Sequence, residues 1–437
     1  MTGIWLCWTF LPIIWMETIQ AILVLVPIKH LKIQQMDVKG TYLNGQLKET
    51  VYMRQPKGYE DTTGWVCKLV KTLYGLKQLS WEWNKEFNKK LTNFRFQCLH
   101  SDPCTFTKQD GDHSAIITVW VDDILLFTTS DELMSQTKSD LHTKWEMTDL
   151  GEPTKIISVE ITQTENSMTI SQKVYIESIL ECKGLSEINS IATPLDLNVK
   201  LKLNPDGNER SWSNSFARLL RELQYLANCK RPNILFAVNQ LAAYTANPSI
   251  QHVMMLKWIL QYSAGTKNLS ITYSKTSKNP NNNSNITHGF ADAAFVNHND
   301  HKSTSGYVFL AAGGAITLKS KKQTTIALSS TEVEYVALSE ARHKACWLWN
   351  LFEELGYPQE YPTLIKGDNN RGSQSERFSD DSANSSETVQ RSWFLIWTVG
   401  TRWTIAEPEL SWSASGGASP LVQVSVLCPL FHNSPIN

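Results

Sequence analysis

The segment AIITVWVDDILLFTT, residues 115 to 129, restricts what this chain can fold into more than any other stretch. It consists of two apolar, β-rich runs interrupted only by Asp122 and Asp123. Short apolar runs of this kind read as buried strands, and a two-residue interruption between them reads as a hairpin turn, where Asp tolerates the geometry. An ordinary solvated Asp-Asp turn has the same sequence. Here, however, apolar residues flank the pair on both sides, and adjacent carboxylates between apolar strands repel one another unless a cation neutralises them. A hard, oxygen-ligated ion such as Mg²⁺ (or Mn²⁺) suits such a pair.

A third carboxylate stands far upstream. LKIQQMDV, residues 31 to 38, alternates as a strand and brings Asp37 to its end. Taken alone, Asp37 is a strand-end carboxylate. Beside a hairpin tip carrying two more, it completes a set that can hold two metal ions for phosphoryl transfer. One ion would activate a 3'-hydroxyl and the other would support the leaving pyrophosphate.

Three long motifs, QMDVKGTYLNGQLKETVYMRQPKGY (35 to 59), CKLVKTLYGLKQ (67 to 78) and WVDD (120 to 123), resemble the reverse transcriptase of Ty1/copia-type retrotransposon Pol polyproteins. The resemblance implies an α+β right-hand polymerase palm over residues 1–150, with the fingers largely missing, and a mainly helical thumb/connection over 151–277. It implies that Asp37, Asp122 and Asp123 form the metal-binding triad. Tyr42, five residues after Asp37, would contact the nucleotide sugar, and Tyr74 and Gly75 would line the incoming nucleotide. An RNA template, a DNA primer, RNA:DNA hybrid and deoxynucleoside triphosphates are the implied partners. The implied location is intracellular, in cytoplasmic virus-like particles and in the nucleus, with no membrane partner. Departures from the family pattern include Trp120 in place of the usual Tyr, and LYGLKQLSWEWN in place of LYGLKQAPRAWY, which puts Trp81 and Asn84 where Arg and Tyr are usual.

Net charge fits this reading only locally. The 437 residues carry 41 basic and 42 acidic side chains, a balance of -1 that excludes a wholly basic nucleic-acid coat. Residues 68 to 95, in contrast, hold Lys68, Lys71, Lys77, Lys85, Lys89, Lys90 and Arg95 against Glu82 and Glu86. Such a patch suits phosphate contact, and a solvated helix face would have the same composition. The 8 cysteines contain no CxxC pair, which argues against a disulfide scaffold or zinc ribbon. The apolar stretch 4 to 16 is too short to span a bilayer and reads as a buried piece of a globular core.

Three amphipathic helices are predicted from Ser171 to Cys182, over 214 to 228, and from Ser249 to Gly265. The Asn-rich stretch KNPNNNSN then marks a linker over 278–286. Beyond it, strands are predicted at 287 to 296, 305 to 318 and 362 to 367, with a long helix from Thr331 to Leu355 closed by Gly356. This arrangement places Asp292 on a strand, Glu334 near a helix start and Asp368 after a strand, a set suited to a two-metal phosphodiesterase. Glu332 is the near neighbour of Glu334.

KSTSGYVF and SKKQTTIALSSTEVEY resemble the ribonuclease H domain that follows the polymerase in the same elements. The resemblance implies an incomplete α/β ribonuclease H-like domain over 287–372, with Asp292, Glu334 and Asp368 as metal ligands. GDNNRGSQSERF departs from the family's continuation, and the fourth ligand segment is not reached, so this site is expected to be inactive. Periodicity is lost after Gly372. Residues 373–437, with Trp393, Trp397, Trp403 and Trp412 among the 16 Trp of the chain, are expected to be an out-of-frame, disordered tail.

Two functions follow from these expectations. The first is RNA-directed DNA polymerisation by a truncated or degenerate copy of the element. The alternative is a catalytically dead retroelement remnant, at most a nucleic-acid-binding protein. A two-metal phosphatase would need its ligands in one compact domain, whereas the two carboxylate sets lie on opposite sides of the linker.

Overall fold

A computed structural model describes residues 14–41, 50–61, 63–71, 73, 79–196, 199, 201–204, 213–275, 287–297, 300–360, 362–367 and 422–426. Its contacts divide the chain into two units, residues 1–154 with 353–357, and residues 155–352 with 358–437.

The first unit runs α1 (Met16–Lys29), β1 (Lys32–Val38), β2 (Tyr52–Met53), β3 (Cys67–Lys68), α2 (Leu79–Asn93), β4 (Gln97–Cys98), β5 (Thr105–Asp110), β6 (His113–Trp120), β7 (Asp123–Thr128), α3 (Asp131–His142) and β8 (Met147–Gly151). Six of the strands form an antiparallel sheet in the order β4-β5-β6-β7-β1-β8. The first strand therefore lies between the last two in sequence. Sequence alternation explains which residues meet the helices. Met36, Val38, Ile117, Val119, Ile124 and Leu126 share a core with Trp83, Phe87 and Leu91 of α2 and with Leu133, Met134 and Leu141 of α3. Phe87 stacks on Trp145 with ring centroids 4.7 Å apart and meets Phe106 edge-on at 5.7 Å. Such pairs contribute about 0.5–1.5 kcal/mol each beyond their burial. Ser130 starts α3 by accepting a hydrogen bond from the Leu133 N–H, with Asp131 and Glu132 in the first turn favouring the positive helix end.

Helix α1 is apolar all round, and every residue from Thr18 to Pro27 is buried, as expected of a core helix without a polar face. Its N-terminus is met by Asp102, which is fully buried. Asp102 accepts hydrogen bonds from the Trp15 N–H (3.0 Å), the Thr18 hydroxyl (2.7 Å) and the Cys104 N–H (3.0 Å). Burial pushes this carboxyl above the usual carboxylate range, and the three donors pull it back down. Residues 1–13 of the apolar N-terminal stretch lie outside the described residues. The six described cysteines are all free thiols, and burial pushes Cys98 up to about 11.

The second unit runs β9 (Lys155–Ile156), β10 (Val159–Gln163), β11 (Ser167–Ser171), α4 (Lys173–Cys182), α5 (Ser213–Lys230), α6 (Pro232–Ala242), α7 (Ile250–Gly265), β12 (Ile271–Ser274), β13 (Thr287–Ala294), β14 (Thr304–Ala311), β15 (Gly314–Lys322), α8 (Ser330–Glu354), β16 (Thr363–Gly367) and β17 (Val422–Val426). The four helices α4 to α7 bury one cluster that includes Ile176, Leu180, Leu220, Leu223, Ile234, Val238, Leu256 and Ile259. One sheet has the order β12-β11-β10-β9 and a second has the order β15-β14-β13-β16-β17. In the second, β13 pairs antiparallel with β14 and parallel with β16. The β9–β10 turn has positive φ at both Ile157 (47°) and Ser158 (61°), and the Tyr225 hydroxyl donates to the Ile157 carbonyl.

One expectation is corrected here. The single strand expected over 305 to 318 is a hairpin, β14 and β15, turning at Ala312 (φ 49°) and Gly313 (φ 86°). Residues 155–275 and 287–352 fall in one unit. Buried Tyr273 of β12 donates to the Ala315 carbonyl of β15 at 2.8 Å. The linker itself lies outside the described residues. Of residues 373–437 only 422–426 are described, and there β17 pairs antiparallel with β16, from Thr363↔Val426 to Gly367↔Val422.

Replacing Asp102 by Ala strips three donors of their acceptor. Asp102→Ala is expected to destabilise the first unit by about 2–4 kcal/mol, with Asp102→Asn intermediate. Urea denaturation followed by Trp fluorescence measures both, and an unchanged midpoint for Asp102→Ala would contradict the capping role.

Candidate active site

Strand β1 pairs with β7 in antiparallel register from Lys32↔Thr128 to Asp37↔Asp123. The last pair places two carboxylates directly opposite each other. Such positions carry Cβ atoms about 4.5–5.5 Å apart. Asp122 sits in the adjacent turn, and its carbonyl accepts the Val38 N–H at 3.0 Å, which ties the turn to the end of β1. Residues on the other parity, Met36, Val38 and Ile124, are buried in the core. Asp37, Asp122 and Asp123 are half-buried. One periodicity therefore anchors the strands and presents the acids.

The hairpin tip differs from its sequence reading. Trp120 pairs with Asp123, so the two turn residues are Val121 and Asp122, and Asp123 opens β7. Val121 has φ 57°, a left-handed conformation that a β-branched residue rarely adopts. It costs roughly 1–2 kcal/mol. Strain of this kind persists only where packing holds it, and Val121 packs against the core cluster beneath.

The electrostatics follow from this crowding. Burial, then the charges of Asp123 and Asp122, raise the Asp37 carboxyl above its ordinary value. One Asp122 oxygen, Oδ1, is buried and has no hydrogen-bond partner among the described residues. No Lys or Arg pairs with any of the three among those residues. Gln35 Nε2 donates to Asp123 Oδ1 at 3.0 Å, a contact that the sequence reading did not anticipate. The set is thus rich in oxygen, poor in protein cations and electrostatically unrelieved, which is the donor chemistry a divalent cation satisfies. The side chains as placed do not converge into a group of three that could hold a metal, and no such group of His, Cys, Asp or Glu exists among the described residues.

Tyr42, Tyr74 and Gly75 lie outside the described residues. Of the basic stretch, Lys85 and Lys89 of α2 are exposed, whereas Lys90 pairs with Glu86 at 3.5 Å and lies over the Trp145 ring.

In the second unit, Asp292 is exposed on β13 and its Oδ1 accepts the Ala293 N–H at 2.7 Å. Glu334 is half-buried in the first turns of α8. Its neighbour Glu332 accepts the Leu328 N–H at 2.8 Å while the Ser329 hydroxyl accepts the Glu332 N–H. This is capping chemistry, signalled in sequence by Ser329-x-x-Glu332, and it separates the two glutamates by role. Asp368 lies outside the described residues.

Since burial and then carboxylate repulsion raise the Asp37 carboxyl, the associated stability is present at low pH and lost as pH rises through the folded-state value. Asp37→Asn removes the repulsion. It is expected to raise Tm in chelator-containing buffer at neutral pH by about 1–3 °C and to lose that advantage once Asp37 is protonated in acid. A lower neutral-pH Tm for the variant would show that repulsion is not the dominant effect.

Residues 2–197 match the reverse transcriptase (RNA-dependent DNA polymerase) family. The chain is 34% identical over 362 residues to the retrovirus-related Pol polyprotein from transposon TNT 1-94 of Nicotiana tabacum, covering 80% of this chain and 27% of that protein. It is 32% identical over 364 residues to the corresponding polyprotein from transposon RE1 of Arabidopsis thaliana, covering 83% of this chain and 24% of that protein. With the transposon Ty5-1 protein of Saccharomyces cerevisiae it shares 29% identity over 311 residues, covering 70% of this chain and 98% of that protein. The chain spans about a quarter of the length of the two plant polyproteins. The paired acids on β1 and β7 fall within the matched reverse transcriptase region, and the chain belongs to the Ty1/copia-type retrotransposon Pol polyproteins.

Proposed function

We propose that this chain is an RNA-directed DNA polymerase, with residues 1–150 as palm and 151–277 as thumb/connection. The observation that carries the reading is the register that sets Asp37 opposite Asp123 with Asp122 in the adjoining turn. These three carboxylates would hold Mg²⁺ (or Mn²⁺). When bound, such ions activate the primer 3'-hydroxyl and support the leaving pyrophosphate. The protein's own contribution is to hold the acids on two paired strands and, among the described residues, to leave their charges unpaired with Lys or Arg.

Tyr42 contacts the sugar of the incoming nucleotide in this reading, and Tyr74 and Gly75 line its site. An RNA template, a DNA primer, their hybrid and deoxynucleoside triphosphates are the substrates. Exposed Lys85 and Lys89 support sequence-independent contact with the nucleic-acid backbone. Among the described residues no helix is long and apolar enough to cross a membrane. The proposed setting is intracellular, in cytoplasmic virus-like particles and in the nucleus.

Residues 287–372 are read as a ribonuclease H-like domain using Asp292, Glu334 and Asp368, inactive in this chain. The alternative to the whole reading is a catalytically dead remnant that only binds nucleic acid.

Primer extension on poly(rA)/oligo(dT) with Mg²⁺ separates these. Incorporation that falls at least a hundredfold in Asp122→Asn is expected. Absent incorporation, or incorporation indifferent to that substitution, leaves the remnant reading standing. In parallel, no Mg²⁺-dependent cleavage of an RNA:DNA hybrid is expected, and cleavage abolished by Asp292→Asn would overturn the inactive assignment.

A further inference from the structure

Among the described residues, the carboxylates of Asp37, Asp122 and Asp123 accept one side-chain hydrogen bond in all, from Gln35 to Asp123. The two residues are 88 positions apart in sequence and their contact is partly buried. Gln35 lies on β1, two residues before Asp37, and therefore faces the same side of the sheet. Opposite Gln35 stands Leu125, two residues after Asp123, so the amide reaches diagonally along the strand pair to the carboxylate. On its other side β1 pairs with β8, and the ladder shifts register between Gln35 and Met36, with Gln35 opposite Gly151 and Met36 opposite Asp149. A bulge at that point re-aims the side chains beside it.

The chemical identity of the donor matters. A Lys or Arg here would also hold the carboxylate, but it would neutralise the charge that a cation needs and compete with it. A primary carboxamide donates without adding charge. The contact leaves the second oxygen of Asp123 and the orphaned Asp122 Oδ1 available as donors to a cation. Hydrogen bonds to ligating carboxylates orient them, and their loss typically lowers metal affinity about 10–100-fold.

We propose that Gln35 is a positioning residue for the polymerase metal site: by hydrogen bonding to Asp123 it fixes one carboxylate of the set for divalent-cation binding without neutralising it. This rests on the assignment of Asp37, Asp122 and Asp123 as metal ligands. The role assigned to Gln35 runs through its hydrogen bond to Asp123.

The test is Mn²⁺ binding to the full chain, measured by electron paramagnetic resonance, for the wild type, Gln35→Met, Gln35→Asn and Asp123→Asn. Met keeps the length and shape of the side chain but removes the donor. Asn keeps the amide but falls short. Gln35→Met and Gln35→Asn are each expected to weaken Mn²⁺ binding about tenfold, with Tm within about 2 °C of wild type. The Mg²⁺ concentration for half-maximal primer extension should rise in proportion, with the nucleotide KM unchanged at saturating Mg²⁺. If wild type binds Mn²⁺, Asp123→Asn abolishes it and both Gln35 variants bind within twofold of wild type, the positioning role is wrong while the metal site stands. If wild type does not bind Mn²⁺, or Asp123→Asn binds it equally well, the metal-site assignment falls and the role of Gln35 falls with it. Should Gln35→Met fail to fold, the Asn variant carries the same comparison.

Discussion

The pairing of β1 with β7 is the constraint on which the first unit depends. Because side chains alternate across a strand, the register that brings Asp37 to Asp123 also sends Met36, Val38, Ile124 and Leu126 into the core. A slip of one residue would bury Asp37 and expose Met36. The hydrophobic pattern therefore specifies which acids meet across the strand pair.

The arrangement opposes two local costs. Like charges face one another across the Asp37–Asp123 pair, and Val121 is held in a left-handed conformation at the tip. Both are offset by packing beneath the sheet, where Trp83, Phe87, Phe106 and Trp145 form a contiguous aromatic cluster. Fully buried aromatic side chains contribute roughly 1.5–3 kcal/mol each, enough to maintain a tip that would relax in isolation. The second unit uses a related solution at Ile157 and Ser158, where the hydroxyl of Tyr225 from α5 holds a turn that the local sequence does not favour.

Much of this was legible in the sequence because apolar alternation and short spacing carry it. Strands β1, β6 and β7, helices α4, α5, α7 and α8, and the stop at Gly356 (φ 73°) fall within a few residues of their expected places. Apolar alternation brings Asp37 to the end of β1, where the register sets it opposite Asp123, but the turn residues are Val121 and Asp122 and not the Asp-Asp pair. Asp-Asp looks like a turn dipeptide, and only cross-strand hydrogen bonding reveals that Val121 takes the positive φ. Helix α6 was missed because Pro232 reads as a breaker unless its place at the first helical position is known. Helix α1 was missed because a uniformly apolar run has no helical period to detect. Gln35 gave no signal at all, since its role depends on a partner contributed by a distant strand.

The placement of β1 also dictates an order of events as the chain folds. Strands β6 and β7 are joined by a two-residue turn and can pair locally, whereas β1 must wait for them and then close a loop of more than eighty residues. Loop closure grows only slowly in cost with length, yet long-range pairings form after local ones. The three negative charges therefore meet last, after the hairpin is in place to receive them. An emerging nascent chain carries Asp37 for some eighty residues with no opposing acid, and the repulsion that marks the finished site is absent from the early steps of its assembly.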